Sequence, residues 1–204
     1  MKKLFTSLLL LLGLAAPAMA ADDAVNLVQD TSQKALDILK KENGKNTRQI
    51  REQVENMVVP LIDFTRMTAL AVGKDWRAAS PAQQEQLSTQ FKALLVRTYA
   101  STMIRFKTAQ IDVKPAAQYN NGGREAVVKS EVTIPGNADK KNVSIDYTLY
   151  KGAQGWKIFN VSVEGASLVT VYRTQFGEEI RKNGIDGLIK QLKDKNDIGS
   201  GKPA

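Results

Sequence analysis

The sequence predicts an α+β fold, with helices first and an antiparallel sheet after them. Apolar residues recur at helical spacing through the first half, and the clearest helix start is Ser80-Pro81-Ala82-Gln83. The period changes to two over residues 109–164, where Asn-, Gly- and Pro-containing turns separate apolar-alternating runs. Helices followed by a meander pack together on one face of a curved sheet of four to five strands, with the remaining helices closing the chain.

Each element has its own signal. Residues 24–40 carry Val25, Val28, Ala35, Ile38 and Leu39 on one stripe and stop at Asn43-Gly44. A second helix from Thr47 carries Ile50, Val54, Met57 and Val58 and ends before Pro60, whose ring crowds the preceding residue out of helical geometry. A third spans 63–72, with Phe64, Met67 and Ala71 on one side, and closes at Gly73. Ser80 caps the longest helix, Pro81 occupies the first position, where no amide is needed, and Gln83 completes a capping box. Strands are predicted over 109–116, 124–134, 142–151 and 156–164. In the third, Val143, Ile145, Tyr147 and Leu149 alternate with Ser144, Asp146 and Thr148, which makes one sheet face apolar. Asn121-Gly122-Gly123 leads into a strand, so it is a hairpin turn rather than a phosphate cradle. Ser167 caps the first of two closing helices, and Gly184 separates it from the second, over 185–193. Residues 21–195 form one domain, and 196–204 read as a disordered tail.

Residues 1–20 have the three parts of a cleaved secretory signal: Lys2 and Lys3, an apolar run over 4–16, and the small-residue box Ala18-Met19-Ala20. The run is too short to span a bilayer comfortably, and no Cys follows the box to take a lipid anchor. The expected destination is the periplasm. The chain has no Cys and no His, so it offers no disulfide, no zinc site of ordinary type and not the commonest general base. Its net charge of +8 becomes +6 without Lys2 and Lys3. Export, and the lack of a basic cluster interleaved with aromatics, argue against nucleic acid as a partner. An anionic membrane or an acidic partner remains, and Arg66, Lys74, Arg173 and Lys182 flank the apolar segments as candidate steering charges.

The chemistry-bearing motifs are weak. Glu164 and Ser167 stand close together, but no base and no nucleophile-elbow pattern accompanies them. Asp63, Asp146 and Glu164 are the acids or bases of an alternative, an enzyme acting on a hydrophobic substrate, but without His or paired carboxylates none has a partner to tune it. A protein-interaction adaptor that binds no lipid is a further alternative. By strand and helix phase, Phe64, Met67, Leu70, Tyr99, Met103, Phe106, Tyr147, Leu149, Val161, Val163, Val169, Tyr172 and Phe176 could converge between sheet and helices. Each also fits ordinary core packing.

Two blocks carry a resemblance. The first is Phe64-Thr65-Arg66-Met67-Thr68-Ala69-Leu70-Ala71-Val72-Gly73 with Trp76, followed by Ser80-Pro81-Ala82-Gln83-Gln84 and a helix ending Arg97-Thr98-Tyr99. The second runs from Trp156 through Val169 into Val171-Tyr172-Arg173-Thr174-Gln175-Phe176 and on to Gly184-Ile185-Asp186-Gly187-Leu188-Ile189 and Leu192. In order and spacing they resemble the MlaC-type periplasmic carriers of the toluene-tolerance, or maintenance-of-lipid-asymmetry (Mla), phospholipid transport system. The resemblance implies a non-enzymatic, monomeric shuttle with no cofactor. Its cargo is a glycerophospholipid, and its partners are an outer-membrane lipoprotein-porin complex and an inner-membrane ABC transporter. It further implies a deep apolar pocket between sheet and helices, with the residues named above as its candidate wall. Each acyl CH₂ that is kept from water is worth about 0.8 kcal/mol, so such a shuttle must bury both tails.

Overall fold

A computed structural model describes residues 23–135 and 142–199. The expected leader, the turn residues Gly136 and Asn137, and residues 200–204 of the expected tail lie outside the described residues.

The class is α+β, as the sequence predicts. Helix α1 (Asp23–Leu39) crosses one face of the sheet and α2 (Thr47–Val58) packs back on it through Ile50 and Val54. Beyond Val58 the backbone tightens into a 3₁₀ turn, Val59–Leu61, with Pro60 in its first turn. Asp63 caps α3 (Phe64–Val72) by accepting from the Arg66 amide at 2.8 Å. The predicted capping box opens α4 (Pro81–Met103): Ser80 Oγ accepts from the Gln83 amide at 3.3 Å and Gln83 Oε1 from the Ser80 amide at 2.9 Å.

The loop between α1 and α2 is tied to the far end of α4. Glu42 accepts from Thr47 Oγ1 at 2.6 Å and from the Gly44 amide at 2.7 Å, and pairs with Lys107 Nζ at 2.9 Å.

Among the described residues the sheet is antiparallel and six-stranded, in the order β1-β3-β4-β5-β6, with β2 also on β3. The predicted first strand over 109–116 is shorter, and a second lies behind it. Pro115 has no amide to donate, so β1 (Gln110–Val113) ends before it and β2 (Gln118–Asn120) resumes along the same edge of β3 (Glu125–Thr133). Strands β4 (Val143–Gly152) and β5 (Gly155–Val163) pair with a bulge at Thr148/Leu149. A two-residue turn then reverses the chain into β6 (Ala166–Ser167), with Glu164 at φ 49° and Gly165 at φ 79°. Positive φ at both central residues matches the right-handed twist of the flanking strands. Both short strands escape a periodicity test because two to four residues cannot display a period.

Alternation sorts the sheet into two faces. Ala126, Val128, Ser130 and Val132 of β3 are buried on the α1 side, while Glu125, Lys129 and Glu131 face away from it. Ser167 caps α5 (Leu168–Gly199) by accepting from the Thr170 amide at 3.2 Å. Gly184 breaks that helix into two legs at φ 70° and ψ −176°, as its position in the sequence predicts. No side chain tolerates that conformation readily. Of the tail expected to be disordered, residues 196–199 are helical, since α5 continues to Gly199. Asn196 Nδ2 donates to Gln90 O at 3.0 Å and Oε1 at 2.8 Å, and Arg97 donates to the Lys195 and Asn196 carbonyls. These bonds satisfy groups at a helix end that would otherwise fray.

Candidate functional site

Among the described residues apolar burial divides into four clusters. A helical cluster joins α3, α4 and α5 around Phe91, which meets Tyr172 and Phe176 edge-on at 4.7 and 5.0 Å. A sheet cluster joins the start of α1 to β3, β4 and β5 through Val25, Val28, Ala126, Leu149 and Trp156. Two smaller ones lie under the end of α1: one with Phe106 at the far end of the sheet, the other with α2 and the end of α4. Among the described residues Ile62 alone packs against both the helical and the sheet cluster. It forms a one-residue parallel bridge to Ile158, and the next amide, of Asp63, donates to Ile158 O at 2.8 Å.

The candidate wall residues distribute over these clusters. Phe64, Met67, Leu70, Val169, Tyr172 and Phe176 belong to the helical cluster, and Tyr147, Leu149 and Val161 to the sheet cluster. Phe106 packs beside Val143 and Ile145, and Met103 sits with α2. Tyr99 and Val163 are each 39% exposed. Leu149 is fully buried, whereas Tyr147 and Val161 are half-buried. The candidate residues therefore grade from closed core to open surface: Tyr99 and Val163 are exposed, Phe64, Leu70, Met103, Phe106 and Tyr172 are half-buried like Tyr147 and Val161, and Tyr147, Val161 and Val163 share the α1 side of β4 and β5. Val143 and Ile145 extend this surface. Strand alternation already placed them on that face.

Two phenols stand in these clusters, Tyr172 in the helical one and Tyr147 in the sheet one. Tyr172 is pushed up to about 12 by burial and by its hydrogen-bonded neighbour Tyr99, which links α5 to α4. Burial also raises Tyr147, whose side chain has hydrogen-bond partners in Ser130 and Ser32. Both stay neutral at physiological pH, which suits an apolar surface.

A separate open cleft of about 830 Å³ lies between the Val59–Thr65 segment, the first half of α4 and the β4–β5 turn. Of the candidate wall only Phe64 lines it. Its lining mixes Ile62 and Trp76 with Asp63, Glu85, Lys92 and Lys157, with Lys92 Nζ 5.7 Å from the Phe64 ring centre.

The carboxylates considered for catalysis have structural surroundings. Asp63 caps α3, Glu164 Oε1 accepts from the Ser144 amide at 2.5 Å, and Asp146 faces Lys129 across the strands at 4.0 Å. No group of three or more His, Cys, Asp or Glu that could hold a metal occurs among the described residues.

Arg66 is not the free steering charge expected of it. Its guanidinium reaches the sheet face opposite α1, bonds Glu125 at 2.8 Å and stacks on Tyr150 and Phe159 at 4.0 and 4.7 Å. Glu125 and Tyr150 are register partners, so strand pairing builds its socket. Arg173 is also engaged, donating to Leu70 O at 2.8 Å, while Lys74 and Lys182 are exposed.

The profile of the MlaC protein family matches residues 29–194, from the second turn of α1 to the last turns of α5. The chain belongs to the MlaC family. All four apolar clusters fall mostly or wholly within the matched span, so the match covers the fold and not a single motif. A curated relative, the toluene tolerance protein ttg2D of Pseudomonas putida, is 28% identical over 172 residues, covering 82% of this chain and 78% of the relative. A solved structure, the phospholipid-binding protein from Ralstonia solanacearum in complex with a phospholipid, superposes with a TM-score of 0.72 at 30% identity. That similarity covers 89% of this chain and 99% of the neighbour.

Proposed function

We propose that this MlaC-family chain is a periplasmic phospholipid carrier, not an enzyme. It holds the acyl tails of a glycerophospholipid between the sheet and the helices and moves it between an outer-membrane lipoprotein-porin complex and an inner-membrane ABC transporter. The observation that carries this reading is the whole-chain similarity to a protein solved with a phospholipid bound. The distribution of apolar surface supports it. Separate clusters flanked by half-buried Val143, Ile145, Tyr147 and Val161 offer a surface that two acyl chains could cover. No helix among the described residues is long and apolar enough to cross a membrane. Cleavage after Ala20 would release the chain from its leader, and the folded unit would act as a monomer.

The test is organic extraction and mass spectrometry of the purified mature protein. Copurifying diacyl phospholipid with little headgroup selection is expected. Delipidated protein that stays folded but takes up no labelled phospholipid from vesicles would overturn the proposal.

A further inference from the structure

We propose that Asn121, in the β2–β3 hairpin, is a site of spontaneous covalent modification. Its side-chain amide is lost through a cyclic imide, while the other two Asn-Gly pairs of the chain are protected by the fold. Those pairs are Asn43-Gly44 and Asn183-Gly184. Glycine after asparagine favours this chemistry because no Cβ hinders the approach of its amide nitrogen to the asparagine side chain.

In the reaction Gly122 N gives up its proton and attacks Asn121 Cγ. The N–Cγ bond forms, the Cγ–Nδ2 bond breaks, and Nδ2 leaves with that proton as ammonia. Water then opens the ring. Attack at Cγ leaves an aspartyl link at position 121. Attack at the main-chain carbonyl leaves an isoaspartyl link, with the backbone one methylene longer. Nothing is oxidised or reduced, and water is the sole co-reactant.

The three pairs differ in what holds the reacting atoms. At Asn43 the Gly44 amide, the would-be nucleophile, donates to Glu42 Oε1 at 2.7 Å, and Asn43 Oδ1 accepts from the Lys45 amide at 3.0 Å. A carboxylate against that amide opposes the loss of its proton, and the side chain is pinned as well. At Asn183 the leaving group itself, Nδ2, donates to Glu179 Oε1 at 2.7 Å. The second leg of α5 also packs on it, since a Cβ at Gly187 would fall 2.3 Å from Asn183 Cβ. At Asn121 no side-chain hydrogen bond among the described residues holds either partner. Residues Asn120 to Arg124 are all exposed, and the space where a Gly122 Cβ would point is empty to 4 Å. Asn121 sits at φ 51°, in the left-handed region that Asn adopts readily, and its main-chain carbonyl accepts from the Arg124 amide at 3.2 Å, which leaves its side chain and the Gly122 amide without a side-chain restraint.

The product adds a negative charge beside Arg124. The isoaspartyl form also lengthens the turn that sets Asn120 opposite Glu125 and Tyr119 opposite Ala126. The hairpin therefore ages while the rest of the sheet does not.

The test compares the native mature chain with the same chain in denaturant at mildly alkaline pH, with peptide mapping by mass spectrometry at each pair. At Asn121 the native and denatured rates should be alike. At Asn43 and Asn183 the native rate should be lower by about tenfold or more, the protection one charge-assisted hydrogen bond can give. Slowing at Asn121 equal to the others, or no slowing at either of the others, overturns the proposal. Glu42→Ala should raise the Asn43 rate while Asn183 stays protected, which also reports that the variant is folded. An unchanged Asn43 rate in that folded variant would remove Glu42 as the protecting group.

Discussion

Leu149 and Val163 occupy the same face of the sheet, one fully buried and the other 39% exposed, and this difference separates core from candidate wall. Leu149→Glu places a carboxylate in a closed cluster and should destabilise the domain by several kcal/mol. Val163→Glu leaves the charge in contact with water, so the melt should shift by no more than about 0.5 kcal/mol while lipid retention falls. Thermal melting and lipid extraction on the same samples check both. A Val163→Glu protein that keeps its lipid removes that position from the wall. Arg66 presents the opposite case, a charge built into the sheet. Arg66→Ala should cost about 2 kcal/mol by denaturant titration, through lost stacking and an unpaired Glu125. Arg66→Lys should recover little of this, because an ammonium lacks the planar face that lies on Tyr150.

Caps and ties govern the elements. The donors around Glu42, Thr47 first and then Lys107 and the Gly44 amide, hold its carboxyl down to about 2 from 4.5. The unfolded chain therefore takes up the proton first. The stabilisation is complete above pH 4.5 and drains away as pH falls toward 2. The Tm gap between the native chain and Glu42→Gln should be widest near neutrality and close on acidification. A gap constant over that range would show that the charge on Glu42 contributes nothing to stability. At Gly184, Ala should cost about 1–3 kcal/mol, since only glycine rests easily at φ 70° and ψ −176°. The elements with a chemical stop or start, such as Ser80, Gly184 and the hairpin glycines, are those legible in the sequence. Strands β2 and β6 are too short for a period, and the docking of Asn196 on Gln90 joins residues 106 apart, a distance that no local pattern spans. The candidate site was legible as a set of apolar residues, through phase. Their division among clusters was not, because burial depends on which elements meet, and Arg66 of α3 looked free because its socket comes from three strands distant in the chain.

At the scale of the whole molecule, a lipid that covers the half-buried apolar surface of β4 and β5 would bind the folded chain and not the unfolded one. At about a hundredfold excess over Kd that is worth about 2.7 kcal/mol, a rise in Tm of about 5–10 °C for a domain of this size. Calorimetry of delipidated and reloaded protein should show that rise, and identical melts would exclude a shared lipid-binding core. The charge, +8 for the chain and +6 if residues 1–20 are removed, acts over longer range. If it steers docking to an inner-membrane complex, the association rate should fall as salt shortens the Debye length from about 10 Å at 0.1 M to about 3 Å at 1 M. Neutralising exposed Lys74 and Lys182 should reproduce part of the fall, whereas a rate indifferent to both changes leaves the charge to solubility alone.

The division of the interior into a helical and a sheet cluster also places one indole in each. The chain has two tryptophans, with Trp76 half-buried against the helical cluster at the rim of the cleft and Trp156 buried in the sheet cluster. Each half of the molecule thus carries its own intrinsic fluorophore. Trp156, shielded from solvent, should emit to the blue of Trp76, whose ring touches water. Single Trp→Phe variants should then resolve one spectrum into two, and following each through a lipid titration would show by colour which layer responds to the cargo.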